Sequence, residues 1–396
     1  MAEQGKCSEV AGAFLKLGLT SFGGAVAHIG YLRREFVERR EWLDDAAFAD
    51  TVALCQLLPG PASSQVAFAI GMRRAGLAGA MTASLCFMLP SAVLMILFAY
   101  GIGLVGDPSA SGWLHGLRLA AIAVVSVALW GMAASLCPDW RRRIMAAAAA
   151  GVVLLVQQPW AQLGVIVLWF GIGAVMRFRI SRDAAKIPAG EGARRGPATA
   201  ALALFAVLLF ALPALSVATG SKSVALFDSF YRTGALVFGG GHVVLPLLRS
   251  ELVPRGWIGD GAFLAGYGAV QAMPGPLFTF AGYLGTVIAG GLHPWLGGVA
   301  AIFAIYLPGW LLVGGVMPFW HRLRPKRWFQ GAVRGAGAAV VGILFAALCT
   351  PLISEGIRVP ADAVAVCAAL VALVRFRIPQ WALVLVMAAV GQWVLR

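Results

Sequence analysis

Two copies of Pro-Gly-Pro, Pro59-Gly60-Pro61 and Pro274-Gly275-Pro276, stand inside otherwise apolar stretches of the chain. Proline in a helix removes a backbone donor and collides with the turn before it. Two prolines around a glycine therefore unwind the helix, and within a membrane the freed backbone must face protein or a wet cavity. Pro61 and Pro276 suit the first position of the helix that restarts. That start offers free amides and the positive end of the helix dipole, a chemistry suited to an anion. Ser63, Ser64 and Gln65 in one copy and Thr279 in the other add donors, and Gln56 and Gln271 sit one turn before each break. A single break of this kind is commonly a packing kink. A matched pair in related halves points to a transporter site.

A second paired motif is Phe22-Gly23-Gly24 and Phe238-Gly239-Gly240. Paired glycines permit a break or a close helix crossing. Between one and two turns earlier lie Lys16 and Arg232, equivalent cations that either line an anion path or snorkel to the headgroups. Arg118 and Arg334 form another such pair with the same two readings. Protonatable groups are scarce. His28 and His242 follow the glycine motifs without aligning, and Asp50 is the one acid well inside an apolar element, so these three are the candidates for proton coupling. For each His a hydrogen-bonded structural role competes. Glu35 and Glu251 sit beside Arg33 and Arg249, which predicts local ion pairs.

The elements that must carry these residues are membrane elements. Of 396 residues 60% are hydrophobic and 12% charged, with mean hydropathy +0.84; a soluble domain carries about 25% charged residues. The net charge of +14 fits cytoplasmic loops better than nucleic acid. The six cysteines show neither metal spacing nor a disulfide framework, and residues 1–10 lack the pattern of a cleaved signal peptide. Apolar elements are expected at about 10–32, 45–72, 76–104, 113–136, 143–157 and 159–176, then a lone helix at 197–218, then 226–249, 260–288, 294–319, 330–352, 361–374 and 378–395, each near the roughly 20 residues of a crossing. Residues 177–196, polar and basic, resemble a linker.

The two halves repeat. Phe14-Leu-Lys16-Leu-Gly18 returns 216 residues later as Phe230-Tyr-Arg232-Thr-Gly234, and Leu32-Arg33-x-Glu35 as Leu248-Arg249-x-Glu251. Trp42 answers Trp257, and Leu89-Pro90 answers Leu307-Pro308. The expected organisation is an N-terminal repeat over 1–176, a basic linker and connecting helix over 177–225, and a C-terminal repeat over 226–396. The expected fold is all-α and polytopic, two inverted six-element halves joined by one central helix, with about 13 membrane segments and broken helices. Alternating spans gather Arg73-Arg74, Arg141-Arg142-Arg143, the linker, Arg322 to Arg327, and Arg375 with Arg377 on one face, the cytoplasmic one by the positive-inside rule. The N-terminus is then inside and the C-terminus outside. Arg33, Arg34, Arg39 and Arg40 would fall on the wrong face. A second element in each half that re-enters the membrane instead of crossing it is the alternative, and it would change which loops share a face.

Phe22-Gly23-Gly24, the loop ending in Trp42-Leu43, and Gln56-Leu-Leu-Pro59-Gly60-Pro61, with their second-half counterparts, resemble the chromate ion transporter family in its long two-domain form. The second half departs in having Gly241-His242 where the first has Ala25-Val26. The resemblance implies chromate export across a bacterial inner membrane and chromate resistance, with sulfate as the related analogue. Two charges leaving a negative interior are driven by about 4.6 kcal/mol per 100 mV, so export needs little coupling, whereas a sulfate importer would need co-transported cations. Nothing in the sequence excludes that importer. An integral membrane enzyme would need a nucleophile, metal cluster or paired acids, and an ATP-driven pump a phosphate-cradling loop; neither motif is present. The expectation is a non-enzyme without cofactor or metal. Its candidate partners are chromate, sulfate, the lipid bilayer and a second copy of the chain.

Overall fold

The structure is a computed structural model. It describes residues 6–22, 24–104, 112–156, 159–176, 195–237 and 244–393. The described residues build an all-α membrane protein with five helical stretches long and apolar enough to cross a bilayer: Ala62–Ile102, Gly112–Leu136, Gly196–Thr219, Pro294–Leu323 and Arg327–Thr350. Large apolar side chains such as Trp130, Leu155, Val175, Phe210 and Val217 point outward, as a lipid-facing surface requires.

The first half runs through α1 (Cys7–Thr20), α2 (Gly24–Arg33), α3 (Asp45–Leu57), α4 (Ala62–Leu104), α5 (Gly112–Leu136), α6 (Trp140–Leu155) and α7 (Pro159–Val175). The connecting α8 (Arg195–Thr219) lies at the periphery against the second half, where the Tyr231 hydroxyl donates to the Phe205 carbonyl at 3.0 Å. The second half comprises α9 (Lys222–Leu236), α10 (Val244–Leu252), α11 (Asp260–Ala272), α12 (Phe280–Ile288), α13 (Pro294–Val316), the short α14 (Trp320–Leu323), α15 (Arg327–Ala347), the short α16 (Ser354–Gly356), α17 (Pro360–Val374) and α18 (Gln380–Trp393).

The described residues of the stretches expected at 10–32, 45–72, 226–249 and 260–288 lie as pairs of antiparallel limbs, which for 45–72 and 260–288 is the re-entrant alternative. In the first, Phe14 of α1 stacks on Phe36 beyond α2 with ring centroids 4.7 Å apart, and Glu9 reaches Arg40 at 3.8 Å. Positions far from the glycine motif on either side thus come together. In the second, Arg74 at the far end of the limb after the Pro-Gly-Pro lies over Trp42, just ahead of α3, at 5.0 Å. Arg74 also bonds Glu9 at 3.1 Å. The bases of both hairpins therefore share one face. The second half repeats the arrangement. Arg232 of α9 bonds Glu251 of α10 at 3.0 Å, and Tyr283 of α12 donates to the Ala262 carbonyl of α11 at 2.9 Å.

α4 is itself bent double. Ala75 and Gly76 leave helical geometry, and Gly71 packs on Gly79, so residues 62–74 and 77–104 form antiparallel limbs. Gly285 of α12 and Gly297 of α13 make the equivalent contact. Small residues are needed there because the backbones touch. The second limb of α4 and α13 run antiparallel to one another. Trp310 Nε1 donates to Ser84 Oγ at 2.7 Å, while Gly298, twelve residues earlier, faces Ile96, twelve residues later. The halves also interlock: α5 packs on α18 at Gly112–Gly391 and Gly116–Met387, and α15 packs on α7 at Gly331–Gly173.

Repeated ion pairs clasp the hairpin bases. Arg33–Asp45 at 2.7 Å recurs as Arg249–Asp260 at 2.6 Å, and Arg39–Glu35 at 2.9 Å as Arg255–Glu251 at 3.0 Å. Burial works against ionising Glu35, but Arg40 and Arg39 override it and hold the carboxyl below the usual carboxylate range.

Candidate functional site

The described residues at the hairpin tips meet. The Gly60 amide donates to the Val237 carbonyl at 2.7 Å, and the Gly275 amide donates to the Ser21 carbonyl at 2.8 Å. Each bond joins the Pro-Gly-Pro of one half to the residue just before the Phe-Gly-Gly of the other, and the two bonds are repeat equivalents. Gly60 has φ +124° and Gly275 φ +100°, a region that L side chains rarely adopt. The tips also touch the paired Leu-Pro helices: Gly309 of α13 lies against Pro61 and Gln65, and Ser91 of α4 lies against Gly275. Pro61 precedes its helix as the cap, since its carbonyl accepts from the Gln65 amide at 2.9 Å, and Pro276 caps a 3-10 turn, Leu277–Thr279, ahead of α12.

His28 binds two tips together. Its Nε2 lies 3.2 Å from the Ser21 carbonyl and its Nδ1 3.4 Å from Ser63 Oγ. A carbonyl only accepts, so Nε2 carries the proton and Ser63 donates to Nδ1. The ring is buried, edge-on to Phe87. Both ring nitrogens are thus engaged in hydrogen bonds, as the structural reading of His28 expects.

Buried side-chain atoms without a hydrogen-bond partner gather here: Ser21 Oγ, Ser64 Oγ, Gln65 Oε1, Gln271 Nε2 and Tyr306 Oη. The Tyr306 hydroxyl faces Ser64 without reaching hydrogen-bonding geometry. Buried polar atoms are nearly always paired, so such a group is suited to hold a polar ligand. A tetrahedral oxyanion, with acceptors in every direction, matches the three hydroxyls and the Gln271 amide, whereas Gln65 Oε1 can only accept.

Other expected residues lie elsewhere or are engaged with other partners. Lys16 and Gln56 are exposed. Arg232 is held by Asp228 at 2.8 Å and Glu251 at 3.0 Å. Asp50 accepts from Trp320 Nε1 at 2.9 Å and Arg324 at 2.7 Å, which makes it a tether between α3 and the segment after α13. The Thr279 hydroxyl donates to the Pro276 carbonyl at 2.8 Å, so its proton is spent on its own turn. Phe22 packs toward Trp381 at 6.0 Å. Gly24 opens α2. Gly23, Phe238, Gly239, Gly240 and His242 lie outside the described residues, as does the linker at 177–194. Sequence reasoning missed Tyr306 and Ser21. The signal available for Tyr306 was a lone phenol beside the repeated Leu-Pro of an apolar helix.

The chromate transporter family model matches residues 8–178 and 224–392. A chromate transport protein of Pseudomonas aeruginosa is 31% identical over 353 residues, covering 84% of this chain and 77% of that protein. A probable chromate transport protein of Synechococcus elongatus is 26% identical, covering 83% and 81%. A chromate transport protein of Cupriavidus metallidurans is also 26% identical, covering 85% and 80%. No solved structure matches the chain. The chain belongs to the chromate transporter family.

Proposed function

With that family as the premise, we propose that this protein is a secondary transporter that exports chromate across a bacterial inner membrane through an oxyanion site at the hairpin tips. The observation that carries the reading is the reciprocal pair of bonds from Gly60 to Val237 and from Gly275 to Ser21. The tips supply helix starts, the unpartnered Ser64 hydroxyl, and a junction to which both halves contribute. Export follows from charge, since the membrane potential drives a dianion outward.

The two halves lie inverted in the bilayer, and the described residues are read as nine crossing helices and four re-entrant hairpins. The antiparallel run of the second limb of α4 against α13 supports this reading. So does the charge distribution: hairpins return residues 33–45 to the face of Arg73 and Arg74, which removes the loop that violated the positive-inside rule. The N-terminus is then cytoplasmic and the C-terminus external. Reporter fusions should read cytoplasmic after Gly196 and external after Arg396. In a background without accessible native cysteines, Glu41→Cys should react with an impermeant thiol reagent from the cytoplasmic side alone. Both ends on one face, or labelling of position 41 from outside, would sink the arrangement.

Transport is tested in vesicles of defined orientation. Inside-out vesicles should take up chromate, faster with a lumen-positive potential, and excess sulfate should compete. Uptake of sulfate by right-side-out vesicles, with no chromate flux in either, would favour an importer instead.

A further inference from the structure

Resting on the reading of the tips as an oxyanion site, we infer that the site is one-sided: Ser21, Ser64 and Tyr306 form a single binding pocket, and the equivalent positions across the junction form its dry wall. Ser21 and Ser64 come from first-half hairpins, and Tyr306 comes from α13 of the second half.

These residues belong to one connected group. Ser64 follows Ser63, which donates to His28; His28 donates to the Ser21 carbonyl, which also accepts the Gly275 amide at 2.8 Å. Tyr306 faces Ser64 and packs on Phe278, three residues past Gly275, at 6.1 Å. Ser21, Ser64 and Tyr306 are 1%, 2% and 0% exposed, and the polar end of each side chain is unpartnered. Carried across the repeat, Ser21 becomes Val237, His28 becomes Val244, Ser63 becomes Phe278 and Tyr306 becomes Met88. Ser64 becomes Thr279, whose hydroxyl is already bonded to Pro276. The backbone at the junction is symmetric and its side chains are not. Three unpartnered hydroxyls offer donors to a tetrahedral oxyanion, and their equivalent positions offer Val237, Met88 and the Thr279 hydroxyl that is already bonded. A single anion then binds off the pseudo-axis.

The test is equilibrium binding of chromate, and separately of radiolabelled sulfate, to the purified full chain, with unfolding midpoints measured alongside. Tyr306→Phe keeps the ring and deletes a hydroxyl without an internal partner, so its midpoint should equal or exceed that of the parent protein. Its affinity for both anions should fall about tenfold or more, the scale of one hydrogen bond to an anion. Ser64→Ala should do the same. Met88→Leu, at the mirror position of Tyr306, should stay within about twofold. Normal binding by Tyr306→Phe and Ser64→Ala in a chain that transports chromate would overturn the one-sided pocket and leave the proposed function standing. A loss in Met88→Leu equal to that in Tyr306→Phe would overturn it too. An unsubstituted chain that neither binds nor moves either anion would overturn both.

Discussion

Gly60→Leu and Gly275→Leu, each made singly, should reduce chromate transport to below about a tenth at normal expression. Three costs act together at each position. The φ values of +124° and +100° belong to glycine, and a bulky side chain held there costs on the order of 1–3 kcal/mol. The side chain also has nowhere to go. Even a Cβ at Gly60 would lie 2.6 Å from Gln65 Nε2 and 3.4 Å from the Gly309 Cα, and one at Gly275 would lie 2.8 Å from Ser91 Oγ. Finally, either change pushes apart the amide bonds to Val237 and Ser21, which join the halves at the site. Because the two positions are equivalent in the repeat, both variants should fail in the same way. The measurement is chromate flux in oriented vesicles, normalised to folded protein by size-exclusion profile. Normal flux in both variants would show that close backbone approach at the tips is irrelevant to transport.

Replacing the equivalent cations Lys16 and Arg232 should give very different results. The Arg232 side chain is 16% exposed and bonds Asp228 and Glu251, themselves 4% and 9% exposed. Arg232→Gln leaves the buried Asp228 carboxylate without its counter-ion and Glu251 with Arg255 alone. Breaking a buried pair from one side costs about 3–5 kcal/mol. The yield of folded protein should therefore drop, with a lower unfolding midpoint, before any change in anion affinity is seen. Lys16→Gln changes an exposed side chain and should shift stability by no more than about 0.5 kcal/mol. A double variant, Asp228→Asn with Arg232→Gln, should recover part of the loss by removing one orphaned charge. If Arg232→Gln instead folds normally and loses only chromate affinity, its charge faces the anion path rather than the cluster. If Lys16→Gln lowers flux without lowering stability, the exposed lysine contributes to attracting the anion.

The chain order of Pro, Gly, Trp, Arg and Glu determined that this is a duplicated membrane protein, and where its helices must stop. Those are local matters. A proline forbids the next helical bond wherever the chain goes afterwards, and a low charge fraction leaves no polar surface for water. The direction of the limb after each stop is not local. Whether residues 45–72 cross or double back depends on Arg74 finding Glu9 and Trp42, contacts that join distant points of the chain and have no signature in the spacing around Pro59-Gly60-Pro61. The same limit applies to the site. Repeat alignment places Lys16 with Arg232, yet Asp228 stands where the first half has Gly12, so one cation is buried in an ion cluster while the other is exposed. Tyr306 is one more apolar-helix residue until α13 brings its hydroxyl to Ser64 from the other half of the chain. Duplication copies backbone geometry, which local sequence encodes. The chemistry of the junction depends on which side chains the fold places opposite one another, and only the packing of the two halves decides that.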